Sequence, residues 1–149
     1  MARVLPVPSF KMSYVIEFDC VVRGHHVYQS VWKSIVGKEL NVVPDSREED
    51  QLYDSYALGT YRFGELVGHV PYELSNLLFR FLEADSRNTI KVKVSGKRKC
   101  EVGLVIPARY ITVTDNRKQA QILLEELQKV KTAELSVKQD AIYTSPIYY

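Results

Sequence analysis

The chain has 149 residues, of which 46% are hydrophobic and 26% are charged, with a formal net charge of +2 at pH 7. This length suits one domain plus a tail, and this composition excludes wholesale disorder. So small a net charge does not by itself indicate nucleic acid, and the positions of the charges decide that question. The ten tyrosines suit strands and recognition surfaces alike, because the side chain is large, stiff and polar at its tip.

The cysteines and the amino-terminal segment exclude further classes of protein. Cys20 and Cys100 form no CxxC pair and lie in no histidine-rich spacing, so we expect reduced, mostly buried thiols and no structural zinc. The opening segment MARVLPVPSF has no apolar run of signal length, and no segment approaches ~20 apolar residues. We therefore expect an intracellular protein without a membrane span.

The first third of the chain predicts strands. Residues 1–12, with two prolines, are expected to form a flexible leader. From 14 to 23, apolar side chains alternate with acidic ones, which predicts a strand. Residues 27–36 fit a short irregular or helical piece. A second strand is predicted from 39 to 43 and is stopped by Pro44.

A loop and a hairpin follow. Residues 45–50 read DSREED and predict an exposed acidic loop. Residues 55–63 and 66–70 are strand-like, and Gly64 between them lies at a turn position. This pattern predicts a β-hairpin.

A helix is predicted to begin at Pro71, because a proline at the first helical position loses no hydrogen bond. Glu73 places a negative charge near the positive end of the helix dipole. Apolar residues then form one stripe at helical spacing, directed at the core: Leu74, Leu77, Leu78, Phe81 and Leu82. The helix is expected to end near Ala84.

The second half adds strands and one more helix. The predicted strands cover residues 89–94, 102–106 and 110–113, with Pro107 between the last two. Residues 116–131 predict a C-terminal helix, capped by Asp115 or Asn116. Residues 132–149 have no stable period and are expected to be a flexible tail. We therefore expect residues 13–115 to form a single mostly β (α+β) domain.

The motifs of the common catalytic sites are absent. The sequence has no GxxxxGKS or GxxxxGKT phosphate loop, no GxGxxG and no GxSxG. His25 and His26 are adjacent and would point to opposite faces of a strand, so no metal site is expected there. No nucleophile with a nearby base can be nominated. We therefore expect no catalytic residues, no cofactor and no enzymatic activity.

Three features could bind a ligand, and each has a structural alternative. One is a basic ridge along a strand face and its turn, where exposed lysines would also deter edge pairing: Lys91, Lys93, Lys97, Arg98 and Lys99. Another is Tyr53-Asp54, where Tyr could stack on a base and Asp could accept a hydrogen bond, or the pair could simply pack and cap a turn. The third is Gly68-His69 before the helix, which could favour an anion or could merely stabilise the turn.

Three segments together resemble the HIRAN domain. They are VRGHHVY at residues 22–28, YDSYA at 53–57 and VGHVPYEL at 67–74, followed by an amphipathic helix. Each motif is short, but their order and spacing are similar to the family pattern over roughly two thirds of the chain, from Phe18 to Thr114.

The resemblance implies a fold and a function. HIRAN domains are β-rich modules, found on DNA-remodelling and fork-repair ATPases and also alone, so we expect a small OB-like or SH3-like β-barrel with one packed helix. The best understood example holds the 3′ end of single-stranded DNA. By position, its pocket would fall on His26 and Val27, on Tyr53 and Asp54, and on His69 and Tyr72.

The resulting hypothesis is a nuclear, HIRAN-type module that binds single-stranded DNA or a DNA end. The stacking ring would come from Tyr28 or Tyr72, and Lys97 and Arg98 would neutralise phosphates. The alternative is a protein-interaction adaptor that docks a partner through residues 116–149. A third idea, a metal-dependent nuclease around His25, His26 and Asp54, is weaker.

Overall fold

Alternating apolar and polar residues form most of the strands in the computed structural model of the chain. The structure describes residues 10–24, 37–44, 58–62, 65–96, 99–101, 103–138 and 142–148. Within them the elements are, in chain order, β1 Phe10–Gly24, β2 Glu39–Pro44, β3 Leu58–Arg62, β4 Glu65–His69, α1 Tyr72–Ala84, β5 Thr89–Val94, β6 Lys99–Glu101, β7 Gly103–Thr114, α2 Arg117–Lys129 and β8 Ile142–Tyr148.

Six of these strands close into an antiparallel barrel. The sheet order is β6-β7-β5-β2-β3-β4-β1-β8, and an additional pairing joins β7 to β1. The ring therefore runs through β7, β5, β2, β3, β4 and β1. Strand β6 pairs with β7 and strand β8 pairs with β1, and neither belongs to the ring. The predicted mostly β barrel with a packed helix is confirmed.

Strands β1 and β7 pair over eleven residues, from Tyr14↔Thr114 to Gly24↔Leu104. The inward residues of both strands are buried, and Phe18 stacks on Tyr110 with ring centroids 5.0 Å apart. The Tyr110 hydroxyl donates to the Val21 carbonyl oxygen over 2.7 Å, which satisfies the polar tip of a fully buried ring.

Cys20 lies in the same core as a free thiol. Burial raises its pKa to about 11, so it remains protonated and unreactive near neutral pH. This agrees with the expectation of a reduced, buried cysteine.

Both helices bury their apolar stripes against the barrel and each other. In α1 the buried residues include Leu74, Leu77, Leu78 and Phe81, as the spacing predicts. The helix begins at Tyr72, and Pro71 is its N-cap rather than its first residue. In α2 the buried residues are Ala120, Leu123 and Leu127, and the Asn116 side chain accepts a hydrogen bond from the Gln119 N–H, as a capping residue should.

The C-terminal segment corrects two predictions. Residues 142–148 form β8 instead of a flexible tail, and they pair with the start of β1 from Phe10↔Tyr148 to Ile16↔Ile142. The predicted leader accordingly ends earlier, because β1 already begins at Phe10. This strand was missed because its partner lies more than a hundred residues away, and a local pattern carries no record of that pairing.

Strand β7 also differs from the prediction, because it continues through Pro107. The β5–β7 pairing ends at Val94↔Ala108, and the Pro107 carbonyl accepts from the Ser95 N–H over 2.9 Å. The N–H that proline lacks would point to that same side, beyond the end of the β5 pairing. The β1–β7 pairing is therefore not interrupted.

Candidate nucleic-acid interface

Two of the eight predicted contact residues lie in the described part of the chain, namely His69 and Tyr72. The other six lie outside the described residues: His26, Tyr28, Tyr53, Asp54, Lys97 and Arg98. Within the described residues, the candidate site comprises the end of β4, the start of α1 and their neighbours.

Gly68 is required by the closure of the barrel. A Cβ at this position would lie 2.8 Å from Val22 Cγ1, 3.0 Å from the Arg23 carbonyl oxygen and 3.1 Å from Thr60 Oγ1. Real Cβ atoms essentially never come within 3.0 Å of another atom, as the first of these distances would require, and the other two would also be tight contacts. The glycine of the VGH motif thus permits β4 to meet the end of β1, and this contact positions the next residue, His69.

His69 is the last residue of β4 and is half-buried. It pairs with Arg23 of β1 on one side and with Gly59 of β3 on the other. Directly paired residues in antiparallel strands project to the same face, and here that face is the outside of the barrel. The same register extends to both sides and defines an outer row: Val105, Arg23, His69, Gly59 and Val43.

Tyr72 lies three residues beyond His69 and is the first residue of α1. It is 73% exposed, so its ring is available for stacking. The N-terminus of α1 has no side-chain cap, and Glu73 already places a carboxylate in the first turn. That carboxylate reduces the attraction of the helix end for a second anion, which weakens the prediction of an anion at this terminus.

Arg23 is a cation that the sequence-based prediction overlooked. Its Nη2 lies 2.9 Å from Oε2 of Glu134, and the two side chains are 41% and 33% exposed. The outward position of Arg23 follows from the alternation along β1, which could have drawn attention to it. Its pairing with Glu134 has no local signal, because 111 residues separate the two.

The described part of the basic ridge is a mixed-charge surface. Lys93 of β5 pairs in register with Glu39 on one side and with Arg109 on the other. Arg109 in turn lies 3.2 Å from Asp19 and 3.7 Å from Glu17. Carboxylates on the neighbouring strands thus flank the two cations Lys93 and Arg109. This arrangement favours the structural explanation over a continuous phosphate-binding track.

The described residues contain no cluster of three or more side chains suited to hold a metal ion. Within that same part of the chain, no helix is long and apolar enough to cross a membrane.

The fold has a solved counterpart. The chain is similar to the crystal structure of the HIRAN domain of human HLTF, with a TM-score of 0.60 and 16% sequence identity. The match covers 80% of this chain and 93% of that one. No protein-family model matches the sequence, and no curated protein matches it. This likeness shows a HIRAN-like fold, as the three sequence motifs predicted.

Proposed function

We propose, from the premise that this chain is a HIRAN-like barrel, that it is a nucleic-acid-binding module without catalytic activity of its own. Its ligand would be single-stranded DNA or a DNA end. One observation carries the proposal: the cation Arg23 and the imidazole of His69 are cross-strand neighbours on the outer face. The exposed ring of Tyr72 follows His69 by three residues.

These three side chains supply the kinds of contact that an unpaired strand needs. A guanidinium binds phosphate oxygens, and an imidazole donates or accepts a hydrogen bond. The Tyr72 ring would stack on a base, an interaction worth roughly 1–3 kcal/mol and tolerant of sequence. Such a site reads the strand by charge and stacking, not by base identity.

Chain connectivity allows His26 and Asp54 to reach this location. His26 follows Arg23 by three residues, a span of at most about 11 Å. Asp54 precedes Leu58, the first residue of β3, by four residues. We therefore retain His26, Tyr28, Tyr53 and Asp54 in the proposed site, with Lys97 and Arg98 as phosphate contacts.

Oligonucleotide binding tests the proposal. Fluorescence anisotropy would compare single- and double-stranded oligonucleotides, with free and blocked 3′ ends, at low and high salt. We expect the single strand to bind best and the affinity to fall with salt, because phosphate contacts release counterions. His69→Ala combined with Tyr72→Ala should weaken binding. Absence of binding at low salt, or no effect of the double substitution, would refute the proposal.

The protein-adaptor alternative has one structural observation in its favour. Most of the apolar stripe of α2 is buried within the chain, but Ile122 is 45% exposed on that helix. Removal of everything after Asp115 would uncover buried core residues and could not test docking. Ile122→Lys is the cleaner variant: loss of a protein partner with unchanged oligonucleotide binding would support the adaptor.

A further inference from the structure

The ion pair between Arg23 and Glu134 lies at the candidate interface itself. Arg23 belongs to the outer row beside His69, and its guanidinium is already engaged by the Glu134 carboxylate over 2.9 Å. A carboxylate and a phosphate can each accept two parallel hydrogen bonds from a guanidinium, so they bind it in the same way. A phosphate that approaches Arg23 must therefore compete with the Glu134 carboxylate for the N–H groups of the guanidinium.

Glu134 is held in place by the backbone around it. The Leu135 N–H donates to the Thr132 carbonyl, which forms a turn. Ser136 then exchanges two backbone hydrogen bonds with Asp19 of β1, over 3.0 and 2.9 Å. Leu135 and Val137 also pack against the core. These contacts fix residues 132–137 against β1 and thereby hold the Glu134 carboxylate near the end of that strand.

Glu73 is a second carboxylate near this end of β1. Glu134 and Glu73 both act on the buried thiol of Cys20 by raising its pKa, and Arg23 acts in the opposite direction. All three charges are therefore close to the same end of β1. Of the two carboxylates, Glu134 is the one shown in contact with the Arg23 guanidinium.

We infer that Arg23 is a phosphate-contacting residue of the interface and that Glu134 is its intramolecular competitor, so that residues 132–138 limit binding of the strand. This inference rests on the proposed function. The pair is exposed enough to exchange partners, since half-exposed ion pairs are weak and screened by salt. A strand with several phosphates displaces Glu134, whereas a single anion competes poorly.

The test uses the full chain, a 5′-labelled twelve-nucleotide oligothymidine and low salt. Glu134→Gln should tighten binding by about two- to fivefold, the factor that corresponds to an exposed ion pair. Arg23→Gln should weaken binding and reduce the slope of log affinity against log salt by about 0.7. Glu125→Gln removes the same charge from an exposed position on α2 and controls for net charge. Thermal unfolding by circular dichroism would verify that each variant is folded.

The double variant decides whether Glu134 acts through Arg23. In the Arg23→Gln background, Glu134→Gln should bring no further gain, because the competitor has lost its target. An equal gain in both backgrounds, or the same gain from Glu125→Gln, overturns the inference in favour of general repulsion. Wild-type binding with no effect of Glu134→Gln overturns the inference alone. If neither the wild type nor Glu134→Gln binds the strand, the proposed function fails with it.

Discussion

Gly68 lies so close to Val22 that a Cβ on the glycine would be 2.8 Å from Val22 Cγ1. Gly68→Ala should therefore force β4 away from β1, and overpacking of this kind costs about 1–3 kcal/mol. The free energy of unfolding in urea measures this. Ser86→Ala, in an exposed turn, is the control and should change little. A Gly68→Ala protein as stable as the wild type would show that the strands can separate without cost.

Tyr110→Phe should destabilise the barrel by about 1 kcal/mol, because it removes the buried hydrogen bond to the Val21 carbonyl. Urea denaturation gives the value. Tyr72→Phe is the matched control, since the Tyr72 side chain is mainly exposed and its loss of a hydroxyl should leave the free energy of unfolding unchanged. Equal effects of the two substitutions would mean that the buried hydrogen bond of Tyr110 does not stabilise the fold.

Stability should fall as the pH rises through the titration of Cys20. Burial raises the pKa of this thiol from 9.0 to about 11, so the unfolded chain releases the proton first as the pH increases. Deprotonation then favours the unfolded state, with a loss of at most about 3 kcal/mol between pH 9 and 11. Below pH 9 the contribution is fully present.

Cys20→Ala isolates this effect from the other groups that titrate in alkali. The substitution leaves a small cavity and should lower stability at pH 8. The difference between wild type and variant should then narrow from pH 9 to 11, as followed by urea midpoints. A constant difference across that range would mean that the thiol ionises equally in both states.

Removal of residues 139–149 should destabilise the protein, since β8 covers the edge of β1 from Phe10 to Ile16. Each backbone hydrogen bond lost lowers the free energy of unfolding by roughly 0.5–1.5 kcal/mol. The exposed edge of β1 would also favour association between chains. Thermal unfolding and analytical ultracentrifugation would detect both changes. An unaltered melting temperature in the shortened chain would support the flexible tail that the sequence suggested.

Tyr72→Ala should weaken binding of single-stranded DNA by the strength of one stacked base, roughly 1–3 kcal/mol. Tyr72→Phe keeps the ring and should retain most of the affinity. Dissociation constants from anisotropy at one fixed salt concentration distinguish the two. Equal losses from both substitutions would indicate that the hydroxyl, and not the ring, makes the contact.

Local patterns predicted those parts of the structure that local forces decide. The alternation over 89–94 matches β5 residue for residue, and the apolar stripe of 74–82 matches the buried face of α1. Barrel closure could be anticipated only through the order of the three HIRAN-like motifs. The stacking of Phe18 on Tyr110 and the fit of Gly68 against Val22 are consequences of that closure.

The candidate site was only partly predictable, for a related reason. His69 and Tyr72 lie in a recognisable motif, and their placement at the end of β4 and the start of α1 follows from it. Arg23 required the cross-strand register, and Glu134 required the path of the chain after α2. Ion pairs across 111 residues leave no periodic trace in a sequence.

The pairing of β8 with β1 also determines where the two ends of the described chain emerge. Phe10 and Tyr148 are register partners, so their Cα atoms are about 5 Å apart. A linker of a few residues could join these ends, and new ones could be opened in the exposed turn at Ser86-Arg87. The two ends of the described chain are thus close enough to be joined, and we expect a circularly permuted chain to regain the same fold.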